Sequence, residues 1–182
     1  MKASYKKWIL LGAFGLLIAA GAVALWKVTP GGRGAKATGE QPIAENPDHE
    51  LKALAMELEK KPGHTPVLMR MAQIEREKGK LEDAAQHLRE AVNSEPANVD
   101  ARLELGRVLY ERGDVGGAIA ETQKILESDP KHVDALYNLG AIYANLGDSQ
   151  RARSYWSKAV EVGRNADGGK KAREALAKLG GS

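Results

Sequence analysis

The stretch that decides the fold is Val133–Val160, which reads VDALYNLGAIYANLGDSQRARSYWSKAV. Apolar residues recur at helical spacing on both sides of Gly147, which is typical of two helices joined by a short turn. The pattern occurs twice more upstream, at intervals of 34 residues. The repeated positions are Pro62, Pro96 and Pro130, Gly79, Gly113 and Gly147, and Ala84, Ala118 and Ala152. A strict period of this length predicts stacked helical hairpins, each burying its apolar face against its neighbours.

Three repeat units follow when the chain is aligned on this period. They span about 65–96, 99–130 and 133–164, and each has the pattern of a helix, a glycine-containing turn and a second helix. The segment 48–61 carries leucines on one helical face, and the segment 168–179 is also amphipathic. Helices of this kind cover the open ends of a repeat stack. The sequence therefore predicts an all-α domain over 48–180.

The repeats resemble the tetratricopeptide repeat family in their sequence pattern. That pattern places a bulky residue, Leu-Gly, Tyr, Ala, an aromatic residue, Ala and Pro at set offsets. The third unit matches it with Leu136, Leu139, Gly140, Tyr143, Ala152, Trp156 and Ala159. The resemblance implies a superhelix of three helix-turn-helix repeats plus flanking helices. Small residues such as Gly140 and Ala152 are expected to face each other where two helices approach closely.

Four positions depart from the family pattern. Arg102 stands where a bulky apolar residue is usual, Glu75 replaces the tyrosine, and Thr122 replaces the aromatic residue. We expect these three changes to loosen the first two units. Arg164 replaces the closing proline of the third unit, as is acceptable at the end of a stack.

The N-terminal part predicts a membrane anchor. Residues 9–26 contain no charged side chain over 18 positions, long enough to cross a bilayer core, and follow a basic segment, residues 1–8. Tyr5, Trp8 and Trp26 flank the run as interfacial aromatic residues do. Residues 27–47 are rich in glycine and proline and predict a flexible linker. A cleaved signal peptide ending near Ala24 is the competing interpretation.

The charge before the apolar run indicates an orientation. A short basic N-terminus that leads directly into a first span usually stays in the cytoplasm. We therefore expect a single-pass protein of the bacterial inner membrane, with the repeat domain on the periplasmic side.

Composition argues against several classes of function. The chain has 27 basic and 24 acidic residues, but from Asp48 onward it carries 21 basic and 22 acidic residues. A near-neutral domain lacks the basic surface that nucleic-acid binding needs. The chain contains no cysteine, and its four histidines show no metal-binding spacing. We expect no catalytic residue, no metal and no cofactor, and hence a protein that is not an enzyme.

The family resemblance implies a binding surface on the first helix of each unit. In tetratricopeptide arrays these helices line a concave groove in which peptides bind. The positions that would line it here are Met69, Arg70, Gln73, Arg76, Leu103, Arg107, Tyr110, Tyr137, Asn138, Ala141 and Asn145. Arginine, tyrosine and asparagine suit recognition of an extended peptide. Glu104 and Asp134 occupy positions where a clamp for a terminal carboxylate would need cations, which argues against that ligand.

These observations predict a membrane-anchored, non-catalytic scaffold that docks a protein or peptide partner in the assembly of an envelope complex. Two alternatives remain open. The architecture is similar to that of the subunit that holds apocytochrome during bacterial c-type cytochrome maturation. The array is also compatible with a structural element that forms homo-oligomers.

Overall fold

The computed structural model describes residues 46–180. The predicted basic segment, the predicted transmembrane helix and nearly all of the predicted linker lie outside these residues. No helix within residues 46–180 combines the length and the apolar character needed to cross a membrane.

The described chain consists of helices and short connections. The eight helices in this range are α1 (Pro47–Lys60), α2 (Thr65–Glu77), α3 (Leu81–Ser94), α4 (Val99–Glu111), α5 (Val115–Ser128), α6 (Val133–Asn145), α7 (Ser149–Val162) and α8 (Asp167–Gly180). Helices α2–α3, α4–α5 and α6–α7 form three successive hairpins, with α1 before them and α8 after them. The prediction of an all-α stack of hairpins is confirmed.

Glycine ends the first helix of each hairpin. Gly79, Gly113 and Gly147 have φ angles of 75°, 90° and 80°, in the left-handed region that side chains with a Cβ rarely adopt. At the second turn, the backbone N–H of Asp114 donates to the carbonyl of Leu109 at 2.8 Å. This bond satisfies a carbonyl that the helix end would leave unpaired. The glycine period of the sequence therefore reflects three turns of the same geometry.

Aspartate side chains cap the second helices of units two and three. The carboxylate of Asp114 accepts from the backbone N–H of Gly117, and that of Asp148 accepts from the N–H of Arg151, each at 2.9 Å. These backbone hydrogen bonds are the main cause of a pKa below the ordinary value for both aspartates. The ionised carboxylates also interact favourably with the positive end of the helix dipole.

The core runs between the hairpins in two clusters. The first joins α2 to α5 through residues such as Leu68, Leu88 and Leu105 and also includes Ile142 of α6. The second joins α6 to α8 around Leu139 and Trp156. Ile119, half-buried on α5, packs against both clusters. Each hairpin thus covers the apolar face of the next, as a repeat stack requires.

Two of the departures from the family pattern are buried and hydrogen-bonded. The side chain of Glu75, a residue 7% exposed, lies 2.8 Å from Nδ1 of His87 on the facing helix. Thr122, 2% exposed, donates its hydroxyl to the carbonyl of Ala118 at 2.8 Å. Neither Glu75 nor Thr122 therefore leaves its buried polar group without a partner.

Arg102 is held by partners on both sides of α4. Its guanidinium donates to Glu121 at 2.6 Å and to the carbonyl of Pro96 at 2.9 Å. Burial favours the neutral form of Glu121, but hydrogen bonds from Lys124 and Arg102 outweigh it, so the pKa of Glu121 lies below its ordinary value. Arg102 thus joins α4 to α5 through charge where the family pattern uses an apolar side chain.

The flanking helices are attached in different ways. Helix α1 has no buried residue, and ion pairs from Glu50 to Arg70 and from Asp48 to Lys78 connect it to α2 and the turn that follows. Helix α8 approaches so closely that a Cβ at Gly169 would meet the backbone carbonyl of Gly163. Helix α1 therefore contacts the domain through ion pairs and the half-buried Leu58, whereas α8 adds the buried Ala172 and a close backbone approach.

Candidate peptide-binding groove

The eleven residues predicted to form the binding surface lie on α2, α4 and α6, and each lines at least one of three adjoining depressions. The residues are Met69, Arg70, Gln73, Arg76, Leu103, Arg107, Tyr110, Tyr137, Asn138, Ala141 and Asn145. Arg107 borders all three depressions, and Asn138 borders the second and the third. We call this continuous surface the groove. The first helices of three successive units build it, because residues 34 apart occupy equivalent faces of stacked hairpins.

The first depression lies between α2 and α4 and has a volume of about 540 Å³. Its arginines already have partners in the chain. Arg70 donates to Glu50 at 2.5 Å and 2.9 Å, and Arg76 donates to Glu111 at 3.0 Å. The hydrogen bond from Arg70 is the main cause of a pKa below the ordinary value for Glu50. A ligand carboxylate would have to compete with these side chains, which the sequence did not reveal.

The second depression lies between α4, α6 and α8 and has a volume of about 650 Å³. It is mainly acidic. Its charged residues are Asp100, Glu104, Asp134, Asp167, Arg107 and Lys171. Arg107 pairs with Glu104 at 3.0 Å, and Lys171 pairs with Asp167 at 2.5 Å. Within residues 46–180 neither Asp100 nor Asp134 forms a salt bridge, so this part of the groove presents surplus negative charge.

Sequence reasoning missed the contribution of α8 to the groove. Asp167 and Lys171 come from its first turns, and the prediction treated this helix only as a cover for the end of the stack. The hydrogen bond from Lys171 is the main cause of a pKa of Asp167 below its ordinary value. The 34-residue period does not predict where these two side chains lie, because α8 is outside the repeats.

The third depression is a narrow pocket of about 100 Å³ between α4, α5 and α6, which we call the Thr122 pocket. Its lining residues are Gly106, Arg107, Tyr110, Thr122, Asn138, Ala141, Ile142 and Asn145. On one wall, the side-chain amide of Asn145 donates to the hydroxyl of Tyr110 at 2.7 Å. Thr122 comes from the second helix of its unit and was not among the predicted groove residues. The sequence could have indicated Thr122, because it stands at a position of the repeat where an aromatic residue is usual.

The equivalent place in the next unit is filled. Trp156 lies 34 residues after Thr122, is 6% exposed, and donates its Nε1–H to the carbonyl of Tyr137 at 3.1 Å. A Cβ at Gly140 would meet ring atoms of Trp156, so this glycine faces the indole ring. From the sequence we expect Gly140 to face Ala152. The atoms nearest to a Cβ at Gly140 belong instead to the indole ring of Trp156.

The described residues contain no group of three or more histidine, aspartate and glutamate side chains placed to hold a metal ion. The groove is instead lined by paired charges, amides and aromatic side chains. Such a surface can bind a chain by hydrogen bonds and apolar contacts.

Family models and solved structures agree on the repeat type. Two tetratricopeptide repeat models match residues 69–131 and 122–154. The MamA crystal structure is 20% identical, covers 75% of this chain and 92% of its own, and gives a TM-score of 0.59. A tetratricopeptide repeat protein from Parabacteroides merdae ATCC 43184 is 23% identical, covers 72% of this chain and 52% of its own, and gives a TM-score of 0.62.

YrrB, whose structure is described as a tetratricopeptide repeat protein with an unusual peptide-binding site, is 20% identical. It covers 70% of this chain and 66% of its own, with a TM-score of 0.61. No curated protein shows significant sequence similarity to the chain. Likeness at these identities concerns the fold alone, and the repeat models add the sequence pattern. Residues 69–154 therefore match the tetratricopeptide repeat pattern, and the helical domain is similar in fold to solved tetratricopeptide repeat proteins.

Proposed function

We propose that the chain is a non-catalytic scaffold that docks a protein partner by binding an extended peptide segment in the groove. The observation that carries this proposal is the continuity of the groove. Three successive first helices and α8 line it, and Arg107 and Asn138 connect its depressions. A long, open surface fits an extended chain better than a compact small molecule, which needs an enclosing cavity.

The side chains of the groove offer the contacts that a peptide needs. The amide of Asn138 can donate to and accept from a peptide backbone. Met69, Leu103 and Tyr137 are half-buried and provide apolar surface. The structure of YrrB is described as having an unusual peptide-binding site, and YrrB is similar in fold to this domain. This likeness supports the same mode of action here.

A pull-down from detergent-solubilised membranes tests this function. The bait is the full chain, compared with a Tyr137→Ala/Asn138→Ala double variant. Arg70 is left intact because it holds α1 through Glu50. The control is Ser154→Ala/Ser157→Ala, which changes two exposed side chains of α7 that do not line the groove. Partners lost only from the groove variant support the proposal, and identical partner lists from all three baits contradict it.

The membrane role is part of the same proposal. Residues 9–26 would anchor the chain in the bacterial inner membrane, and a linker of about 20 residues would give a reach of roughly 25 Å. The domain would then sample partners on the periplasmic side during assembly of an envelope complex. N-terminal sequencing of the mature protein tests the anchor, since a chain that begins at Leu25 would show a cleaved signal peptide. A reporter fused after Ser182 tests the orientation, because activity confined to the cytoplasm would contradict it.

A further inference from the structure

We propose that the Thr122 pocket receives one aromatic side chain of the bound peptide. This inference rests on the proposed function, and it specifies the residue that anchors the ligand. The pocket opens into the groove beside Arg107 and Asn138, so a side chain in it would belong to a peptide lying along α4 and α6.

The third unit shows how a large side chain can fill this position. There Trp156 covers Gly140, whereas in the first unit the equivalent residue, Leu88, lines the first depression. In the second unit the equivalent is Thr122, whose short side chain leaves the space beside Gly106 open to the groove. The third unit thus shows that this position can hold an indole ring, and in the second unit no side chain of that size fills it.

The pocket has the size and polarity for a ring. Its volume is about 100 Å³, and a closed apolar cavity of roughly 150 Å³ in another protein binds benzene. An open pocket of similar scale can accept an aromatic side chain whose backbone stays in the groove. Ala141 and Ile142 line it with apolar groups.

The two hydroxyl groups of the pocket already have hydrogen-bond partners. The hydroxyl of Thr122 donates to the carbonyl of Ala118, and the hydroxyl of Tyr110 accepts from Asn145. An apolar ring can therefore enter without depriving a buried donor or acceptor of its partner, which would cost free energy. Arg107 at the rim also provides a guanidinium that can stack on an aromatic face.

The neighbouring second depression indicates which residues flank the ring. It shares Arg107 and Asn138 with the pocket, and it holds four carboxylates against two cations. Lysine or arginine next to the aromatic residue would complement this charge. Because the carboxylates lie in an open depression, we expect them to affect peptide orientation and association rate more than affinity.

The test selects ligands for the full chain from a random library of 12-residue peptides and compares three proteins. Thr122→Trp places in unit two the residue that Trp156 provides in unit three, and so closes the pocket. Thr122→Ser keeps the hydroxyl and leaves the pocket open, and it serves as the matched control. We expect the selected peptides to be enriched in an aromatic residue with basic neighbours. Their affinity should fall at least about tenfold for Thr122→Trp and change little for Thr122→Ser.

A double-mutant cycle locates the aromatic residue. Replacing it in the peptide by alanine should weaken binding to the wild type at least about tenfold and have little effect on binding to Thr122→Trp. Circular dichroism establishes that the variant is folded. If Thr122→Trp does not fold, Gly106→Ala replaces it, since a Cβ there would lie 3.1 Å from Oγ1 of Thr122 and narrow the pocket.

The outcomes separate this inference from the proposed function. If the selected peptides bind Thr122→Trp as tightly as the wild type but bind Tyr137→Ala/Asn138→Ala more weakly, the pocket inference is wrong. The proposal that peptides bind in the groove then stands. Peptides insensitive to both changes overturn both proposals. Failure to select any peptide also counts against both.

Discussion

The indole N–H of Trp156 donates to the backbone carbonyl of Tyr137 at 3.1 Å, which joins the second helix of the third unit to its first. The ring can take this position because Gly140 has no side chain beneath it. The equivalent glycine of the second unit is Gly106, but the residue equivalent to Trp156 is Thr122, whose hydroxyl donates to the carbonyl of Ala118. The two units therefore differ at this position: an indole ring packs on the glycine of the third hairpin, and a pocket lies beside Thr122 in the second.

Adding a methyl group at Gly140 should destabilise the domain. Gly140→Ala would bring the new Cβ against the indole ring of Trp156, and overpacking of this kind costs about 1–3 kcal/mol. Urea unfolding followed by circular dichroism measures the free energy of unfolding. Gly116→Ala is the control, because a Cβ at Gly116 meets nothing within 4 Å and alanine favours a helix. Equal stability of Gly140→Ala and the wild type would contradict the close packing.

Breaking the pair between Glu75 and His87 should also destabilise the domain. His87→Ala leaves the carboxylate of Glu75, a residue 7% exposed, without its 2.8 Å partner. An unpartnered buried polar group costs roughly 1–3 kcal/mol or more. A double-mutant cycle with Glu75→Leu, measured by urea unfolding, isolates the interaction. Additive effects of the two changes would show that the pair is not coupled.

The aspartate caps should make stability fall in acid. The folded-state pKa values of Asp114 and Asp148 lie below the ordinary value of 3.8. Their stabilising contribution is therefore complete above about pH 4 to 5 and is lost as the pH falls through the folded-state values. Urea midpoints measured from pH 7 down to pH 2 should decrease over this acid range.

The Asp114→Asn/Asp148→Asn variant separates the caps from other carboxylates. Asparagine can still accept the backbone hydrogen bond but does not titrate, so the acid loss of this variant should be smaller than that of the wild type. Identical pH profiles would assign the acid sensitivity to other groups.

Removing Arg70 should release α1 selectively. Helix α1 has no buried residue, and Glu50 on it receives two hydrogen bonds from Arg70. We expect Arg70→Ala to speed hydrogen exchange of the backbone amides in α1 and to leave those in α6 and α7 unchanged. Lys60→Ala, an exposed change in the last turn of α1, is the control. If exchange in α1 of Arg70→Ala stays as slow as in the wild type, contacts such as that of Leu58 with the core are sufficient to hold α1 in place.

Much of the groove could be predicted because it depends on position in the repeat. Leu103 and Tyr137 are 34 residues apart, and the stack places them in the same depression. The charge balance of the groove could not be predicted in this way. The carboxylate that pairs with Arg70 belongs to Glu50 on α1, outside the repeats, and Asp167 and Lys171 come from α8. Contacts between helices of unrelated sequence follow no period.

The sequence by itself determined the helices, their turns and the face that each unit presents, because local preferences and the apolar period act within about 34 residues. Only the tertiary structure decided which arginines have partners and whether the space beside Gly106 is filled. These properties depend on side chains that different helices bring together, and their distances are determined by packing. The substitution at Thr122 could be read from the sequence, but its opening into the groove could not.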